Sequence, residues 1–235
     1  MNEIRIDSIV SFHEQIERYR KSSIVQYRGQ SNYEWTLTPK AGRIQYMDYD
    51  DTNIFRHWKR RAIAYINREN YSDWELLAIA QHSGLPTRLL DWSINPLVAA
   101  FFAVIDNFDT NGALFLYNSG HRIKHESVQP FEYGESKNKI GIYQPNASST
   151  RIINQLGYFT IHSKPTLALD DNTKDGELTK FIINKNIKKD IMYMVHQYGI
   201  NYLTLFPDLD GLSKHLSWFI ENNKYWNGEI KLDEF

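Results

Sequence analysis

Between Gln81 and Asn95 the chain gathers Gln81, His82, Thr87, Arg88, Asp91, Ser93 and Asn95 into a stretch otherwise written in apolar residues. Buried polar groups without partners cost roughly 1–3 kcal/mol each, so such density points to a hydrogen-bonded network or a site. Upstream stands Tyr27-Arg28-Gly29-Gln30, where an arginine closes an apolar run and a glycine follows. A guanidinium placed so can fork onto a phosphate or carboxylate, and Gly29 would let a ligand approach the backbone. An ion pair between Arg28 and an acid such as Asp91 explains the same residues equally well. Asp91 can orient or ionise a neighbouring group, and Thr87 or Ser93 can hold a ribose hydroxyl. The competing reading is a network that fixes one strand between two helices.

A third cluster runs from Arg151 to His162, with Gln155 ahead of Gly157, Tyr158 and Phe159. Gln155 and His162 can face a cleft, or rim a plain turn-to-strand junction. Asn95 before Pro96 is expected to cap a helix, and His82 to close one, where the helix dipole favours it. Asp208 and Asp210 read as a helix start in preference to a metal pair. Arg56, Lys59, Arg60 and Arg61 read as a solvated helix face that would suit a polyanion if it lay beside the cleft.

Around these residues the periodicity predicts amphipathic helices near 8–20 and 51–68. The first carries capping-box spacing at Ser11 and Glu14. A third helix opens at Ser72 with Glu75 completing a capping box, and Gly84 suits the left-handed position past its end. Strands are expected at Ile24–Arg28, Thr87–Trp92, Gly112–Tyr117, Tyr158–His162, Glu177–Asn184 and Tyr202–Phe206. Further helices are expected near 96–106, 187–198 and 209–222, with a helical or turn-like piece at 147–155. Residues 31–50 read as a long loop, and 118–150 as an irregular, variable insertion.

The chain has 235 residues, a formal charge of −1 and no cysteine. Disulfides, thiolate zinc sites and cysteine nucleophiles are therefore excluded, and no global attraction to nucleic acid follows from the charge. No phosphate-binding glycine loop, Gly-x-Ser-x-Gly elbow or His-Glu-x-x-His helix occurs. No signal peptide or membrane-spanning run is visible, so a cytoplasmic location without membrane contact is expected, as is one α+β domain.

Tyr27-Arg28-Gly29-Gln30, the block Gly84-Leu85-Pro86-Thr87-Arg88-Leu89-Leu90-Asp91-Trp92 with Asn95-Pro96-Leu97-Val98-Ala99-Ala100, Gln155-x-Gly157-x-Phe159 and Leu205-Phe206-Pro207-Asp208-Leu209 together resemble the FRG domain family over roughly residues 15–220. That family takes its name from an aromatic-Arg-Gly motif. A second resemblance is to the arginine-type ADP-ribosyltransferases, in which the arginine of such a motif holds NAD. Their second strand ends in Ser or Thr and leads into a helix with paired alanines and an aromatic residue, as Ser93, Ala99-Ala100 and Phe102 do here. Their third motif carries a catalytic glutamate, where this chain has Gln155. An amide hydrogen-bonds but does not offset positive charge.

The resemblance implies a split, mixed β-sheet flanked by helices and an NAD-dependent transferase, with NAD as substrate and no metal. Arg28, Asp91 and Gln155 would be catalytic. Tyr27, Gly29, Gln30, Gln81, His82, Thr87, Arg88, Trp92, Ser93, Tyr158 and His162 would bind NAD, the aromatic rings by stacking. The expected setting is a toxin or phage-defence effector with RNA, DNA or protein as acceptor and an antitoxin or other neutralising protein as partner. Arg56, Lys59, Arg60 and Arg61 would serve a nucleic-acid acceptor. Two rivals stay open: a non-catalytic binding module, and a nuclease using His82, Asp91 and His162.

Overall fold

The computed structural model describes residues 1–22, 25–66, 71–134, 139–146, 153–173 and 176–222. Among these residues seven strands form one mixed sheet: β1 (Asn2–Ile6), β2 (Val25–Gln30), β3 (Leu89–Ser93), β4 (Gly112–Asn118), β5 (Ile140–Tyr143), β6 (Gly157–His162) and β7 (Glu177–Ile183). Their order is β1-β7-β4-β2-β3-β6-β5, with β1 parallel to β7 and the other pairs antiparallel. The helices are α1 (Ile9–Glu17), α2 (Asp51–Ala62), α3 (Asp73–His82), α4 (Pro96–Val104), α5 (Lys188–Gln197), α6 (Tyr202–Leu205) and α7 (Leu209–Glu221). The architecture is α+β, with a mixed sheet flanked by helices.

Local chemistry sets most of the helix ends. Ser72 and Glu75 form the expected reciprocal box at the start of α3, and Gly84 takes φ +90° just past its end. Asn95 Oδ1 accepts from the amide of Leu97, with Pro96 in the first turn of α4. Asp208 likewise caps α7, accepting from the Gly211 amide at 2.8 Å.

Several expectations are corrected. The first helix is capped by a box between Ser8 and Ser11, not Ser11 and Glu14, because the chain leaves β1 only at Ile6. Strand β2 runs through Gly29 to Gln30 and does not end at the glycine. Tyr202–Leu205 is a short helix, since Asn201 and Thr204 form a capping box that outweighs the apolar run. The stretch 118–150 contains β5, and β1 is an additional edge strand. The proposed turn at 147–155 lies mainly outside the described residues.

The sheet has a seam. Strand β2 pairs with β4 over six residues, but with β3 only at Tyr27 opposite Ser93. Helix α4 covers one face of β2 with its small residues inward. A Cβ on Gly29 would stand 1.8 Å from the Ala99 carbonyl oxygen, and one on Gly112 would stand 2.2 Å from that of Ala103. Glycine at 29 thus lets a helix approach a strand, and the same residue also lines the cavity described below. Helices α1, α4 and α5 bury one core on this face, and α2 with α3 bury another against β3 and β6. The seam lies between them.

Candidate functional site

A cavity of about 270 Å³ opens at this seam. Its lining includes Tyr27, Arg28 and Gly29 from β2, Gln81 and His82 from the end of α3, and Asp91, Trp92 and Ser93 from β3. Val98, Ala99 and Phe102 of α4, together with Gln155 and Phe206, close it. Three chain segments that are far apart in sequence therefore bring Arg28, Asp91 and Gln155 to one hollow. One side is polar and the other apolar, as suits a ligand with an aromatic base and charged groups.

Arg28 sits opposite Phe115 of β4, so its side chain leaves β2 on the face opposite α4 and reaches the cavity through the seam. Its Nη1 donates to the main-chain carbonyl of Asp91 at 2.8 Å and lies 3.8 Å from the Asp91 carboxylate. The buried Nε has no hydrogen-bond partner. Burial lowers the Arg28 pKa to about 10, the Asp91 charge opposing and the Arg43 charge adding to that shift, so the group stays cationic at neutral pH. The ion pair weighed from the sequence exists, yet it leaves a guanidinium donor unspent.

Asp91 is held on its other side. Gln81 Nε2 donates to Asp91 Oδ2 at 2.8 Å, and Gln81 Oε1 accepts from Thr87 Oγ1 at 2.5 Å. Thr87 is buried behind Gln81 and accepts from the Leu89 amide, so it positions the carboxamide and does not line the cavity. Ser93 lines the cavity, but both roles of its hydroxyl are taken. It donates to the Gln155 carbonyl at 2.7 Å and accepts from the Asn95 amide at 3.0 Å. Gln155 Nε2 donates to the Leu205 carbonyl at 3.2 Å. The next residue, Leu156, has φ +47°, a strained conformation for leucine that turns the chain into β6. His82 lines the wall and stands edge-on to Phe159, with ring centroids 5.6 Å apart.

Four other residues expected at the ligand do not line the cavity. Arg88 is buried in a bidentate pair with Asp51, at 2.8 and 2.7 Å, and over the ring of Phe131. Gln30 is buried and ties its amide to the Thr36 carbonyl. His162 is fully buried, its Nδ1 donating to the Leu167 carbonyl and its Nε2 accepting from Thr160 Oγ1, which itself accepts from Trp92 Nε1. Burial pushes its pKa down to about 4, the Leu167 bond opposing and the Arg28 charge adding to that shift. Tyr158 lines a separate groove beside α1. Trp92 reaches the cavity wall with its Nε1 already bonded to Thr160.

On α2, Lys59 pairs with Asp73, Arg60 contacts His57, Arg56 bonds Asn53 and Arg61 bonds the His57 carbonyl. None of the four lines the cavity. Sequence reasoning missed Arg43, whose lowered pKa is set first by burial and then by the opposing charge of Asp91. It sits in an irregular loop with no motif around it, so no local signal could have found it. Among the described residues no group of three or more His, Asp or Glu gathers to hold a metal. No helix among them is long and apolar enough to cross a membrane.

Residues 23–112 match the family model of the FRG domain. The match takes in Arg28, the Gln81–Asp91–Thr87 network and α4, but not Gln155. No curated protein and no solved structure matches the chain.

Proposed function

We propose that this FRG-domain chain binds NAD at the seam cavity and transfers its ADP-ribose to an acceptor. One observation carries the reading: Arg28, Asp91 and Gln155 converge on one cavity, where a buried arginine keeps an unpartnered Nε–H. A buried donor of that kind favours an anionic ligand oxygen, such as a pyrophosphate or ribose oxygen. A volume of about 270 Å³ is sized for one nucleoside half of a dinucleotide, with the rest extending outward.

In this reading Arg28 holds the pyrophosphate or adenosine ribose, and the apolar wall of Val98, Ala99, Phe102 and Phe206 takes a ring. The Asp91 carboxylate stands in for the glutamate of the arginine-type transferases. It stabilises positive charge on the ribose as the C1′–nicotinamide bond breaks and its electron pair leaves with nicotinamide. The acceptor's nucleophile then bonds to C1′, and its proton passes to Asp91 or to water. Gln155 orients a ribose hydroxyl or the acceptor. Ser93 and Gln81 position these two groups instead of touching the ligand.

A second reading, binding without turnover, is favoured by Gln155 itself, since a carboxamide supplies no negative charge. The nuclease reading is weaker, because His162 stands outside the cavity that His82 and Asp91 share. The test is incubation of the full chain with NAD radiolabelled on its adenylate phosphate, with RNA, DNA and protein offered as acceptors. Label transfer with release of nicotinamide is expected, lost in Arg28→Ala and Asp91→Asn. NAD binding without consumption would select the second reading. Absence of NAD binding would overturn both forms of the proposal.

A further inference from the structure

The loop between β2 and α2 encloses an open groove of about 620 Å³. Trp35, Lys40, Arg43 and Tyr46 line it with Thr, Gly, Ile and Gln residues, so the lining holds two cations and no acid. The acids of the same loop, Glu34, Asp48 and Asp50, lie outside the lining. Trp35 is 50% exposed, and Lys40 Nζ stands 5.7 Å from the centroid of the Tyr46 ring. Lone exposed rings need no explanation, but two rings and two cations sharing one depression do.

The groove is anchored to the site. The Ala41 amide donates to the Thr87 carbonyl at 3.1 Å, and Lys40 Nζ donates to that of Gly84 at 2.7 Å. These bonds fix the loop on the α3–β3 connection that supports Gln81 and Asp91. Arg43 lies close enough to both Arg28 and Asp91 for its charge to act on them.

We propose that this groove binds single-stranded nucleic acid, its bases stacking on Trp35 and Tyr46 and its phosphates meeting Lys40 and Arg43. Every base has a π-face and every nucleotide a negative charge, so aromatic and cationic side chains in one acid-free groove match a single strand. The charges of α2 serve its own helix and Asp73, and none of them lines this groove. Strand binding stands independently of NAD chemistry. That the strand is the transfer acceptor rests on the transferase reading above.

Fluorescence anisotropy of the full chain with fluorescein-labelled oligouridine and oligothymidine of about twelve nucleotides tests it. Saturable binding that weakens between about 50 and 200 mM salt is expected. Trp35→Ala and Tyr46→Ala should each weaken it by about tenfold, and Lys40→Gln should reduce the salt slope by about one. Far-UV circular dichroism of each variant separates lost binding from lost folding. Arg28→Ala should weaken NAD binding by about 10- to 100-fold and leave strand binding intact, so the two proposals fail separately. Unchanged affinity in folded Trp35→Ala and Tyr46→Ala, equal affinity for duplex, or no binding by wild type would overturn the groove assignment. Label passing from NAD to protein but not to a bound strand would overturn its role as acceptor.

Discussion

The Arg28 guanidinium bonds the main-chain carbonyl of Asp91 at the point where β2 and β3 part. Continuing the register from Tyr27 opposite Ser93 would set Gly29 against Asp91, and that backbone pair is absent. A side chain takes the place of a ladder hydrogen bond, and in doing so is held against the cavity. Arg28 therefore has two separable roles, closing the seam and presenting a donor.

Arg28→Ala should cost about 1–3 kcal/mol of stability through the orphaned carbonyl, and Arg28→Lys less. Both should weaken NAD binding by about 10- to 100-fold, because lysine lacks the planar fork that leaves Nε free while Nη1 is engaged. Denaturant titration beside calorimetric NAD titration separates the effects. NAD affinity in Arg28→Lys equal to wild type would remove Nε from the site.

Gln155→Glu should raise the rate of NAD cleavage by about tenfold or more, since a carboxylate in the cavity adds charge stabilisation that an amide lacks. The Leu205 carbonyl, to which the amide now donates, would lose its partner, so a small fall in melting temperature should accompany the gain. Nicotinamide release is the readout. A slower Gln155→Glu enzyme would mean that the amide donor is what the reaction needs.

Arg88→Ala or Asp51→Ala should destabilise the fold by about 3–5 kcal/mol, because each strands a buried charge. Neither residue lines the cavity, so the folded fraction should keep wild-type NAD affinity. Thermal denaturation and NAD titration at low temperature check the two halves of this statement. Lost affinity with intact stability would return Arg88 to the ligand.

The folded-state pKa of His162, about 4, lies below the unfolded value near 6.5, so between them the unfolded chain binds more protons. Stability from this group is complete above pH 6.5 and is lost as pH falls towards 4. His196, likewise lowered to about 4 by burial, acts in the same direction. His162→Gln should therefore flatten, without abolishing, the fall in denaturation midpoint between pH 7 and pH 5. Equal slopes in variant and wild type would place His162 in water.

Much of the frame was legible because it is written in neighbouring residues. Ser72 with Glu75, Gly84, and Asn95 with Pro96 each determine a local backbone state, and all three lie where expected. Non-local pairing was not legible. β1 lies on β7, some 177 residues on, and its five residues carry no sign of that partner. The run Tyr202–Phe206 has strand composition, but Asn201 and Thr204 close a helical turn first. At the site, the segments were readable and the division of labour within them was not. Arg88 and Asp91 stand three residues apart, yet one is spent on Asp51, 37 residues back, and the other faces the cavity.

The single rung between Tyr27 and Ser93 also bears on mechanics. On one side, β1, β7, β4 and β2 form a continuous plate, and on the other β3, β6 and β5 form a second. Arg28 is mounted on the first plate, and Asp91 and Gln155 ride with the second. A molecule gripped by all three would act as a splint across the joint, so its arrival should be felt as stiffening along the whole width of the sheet.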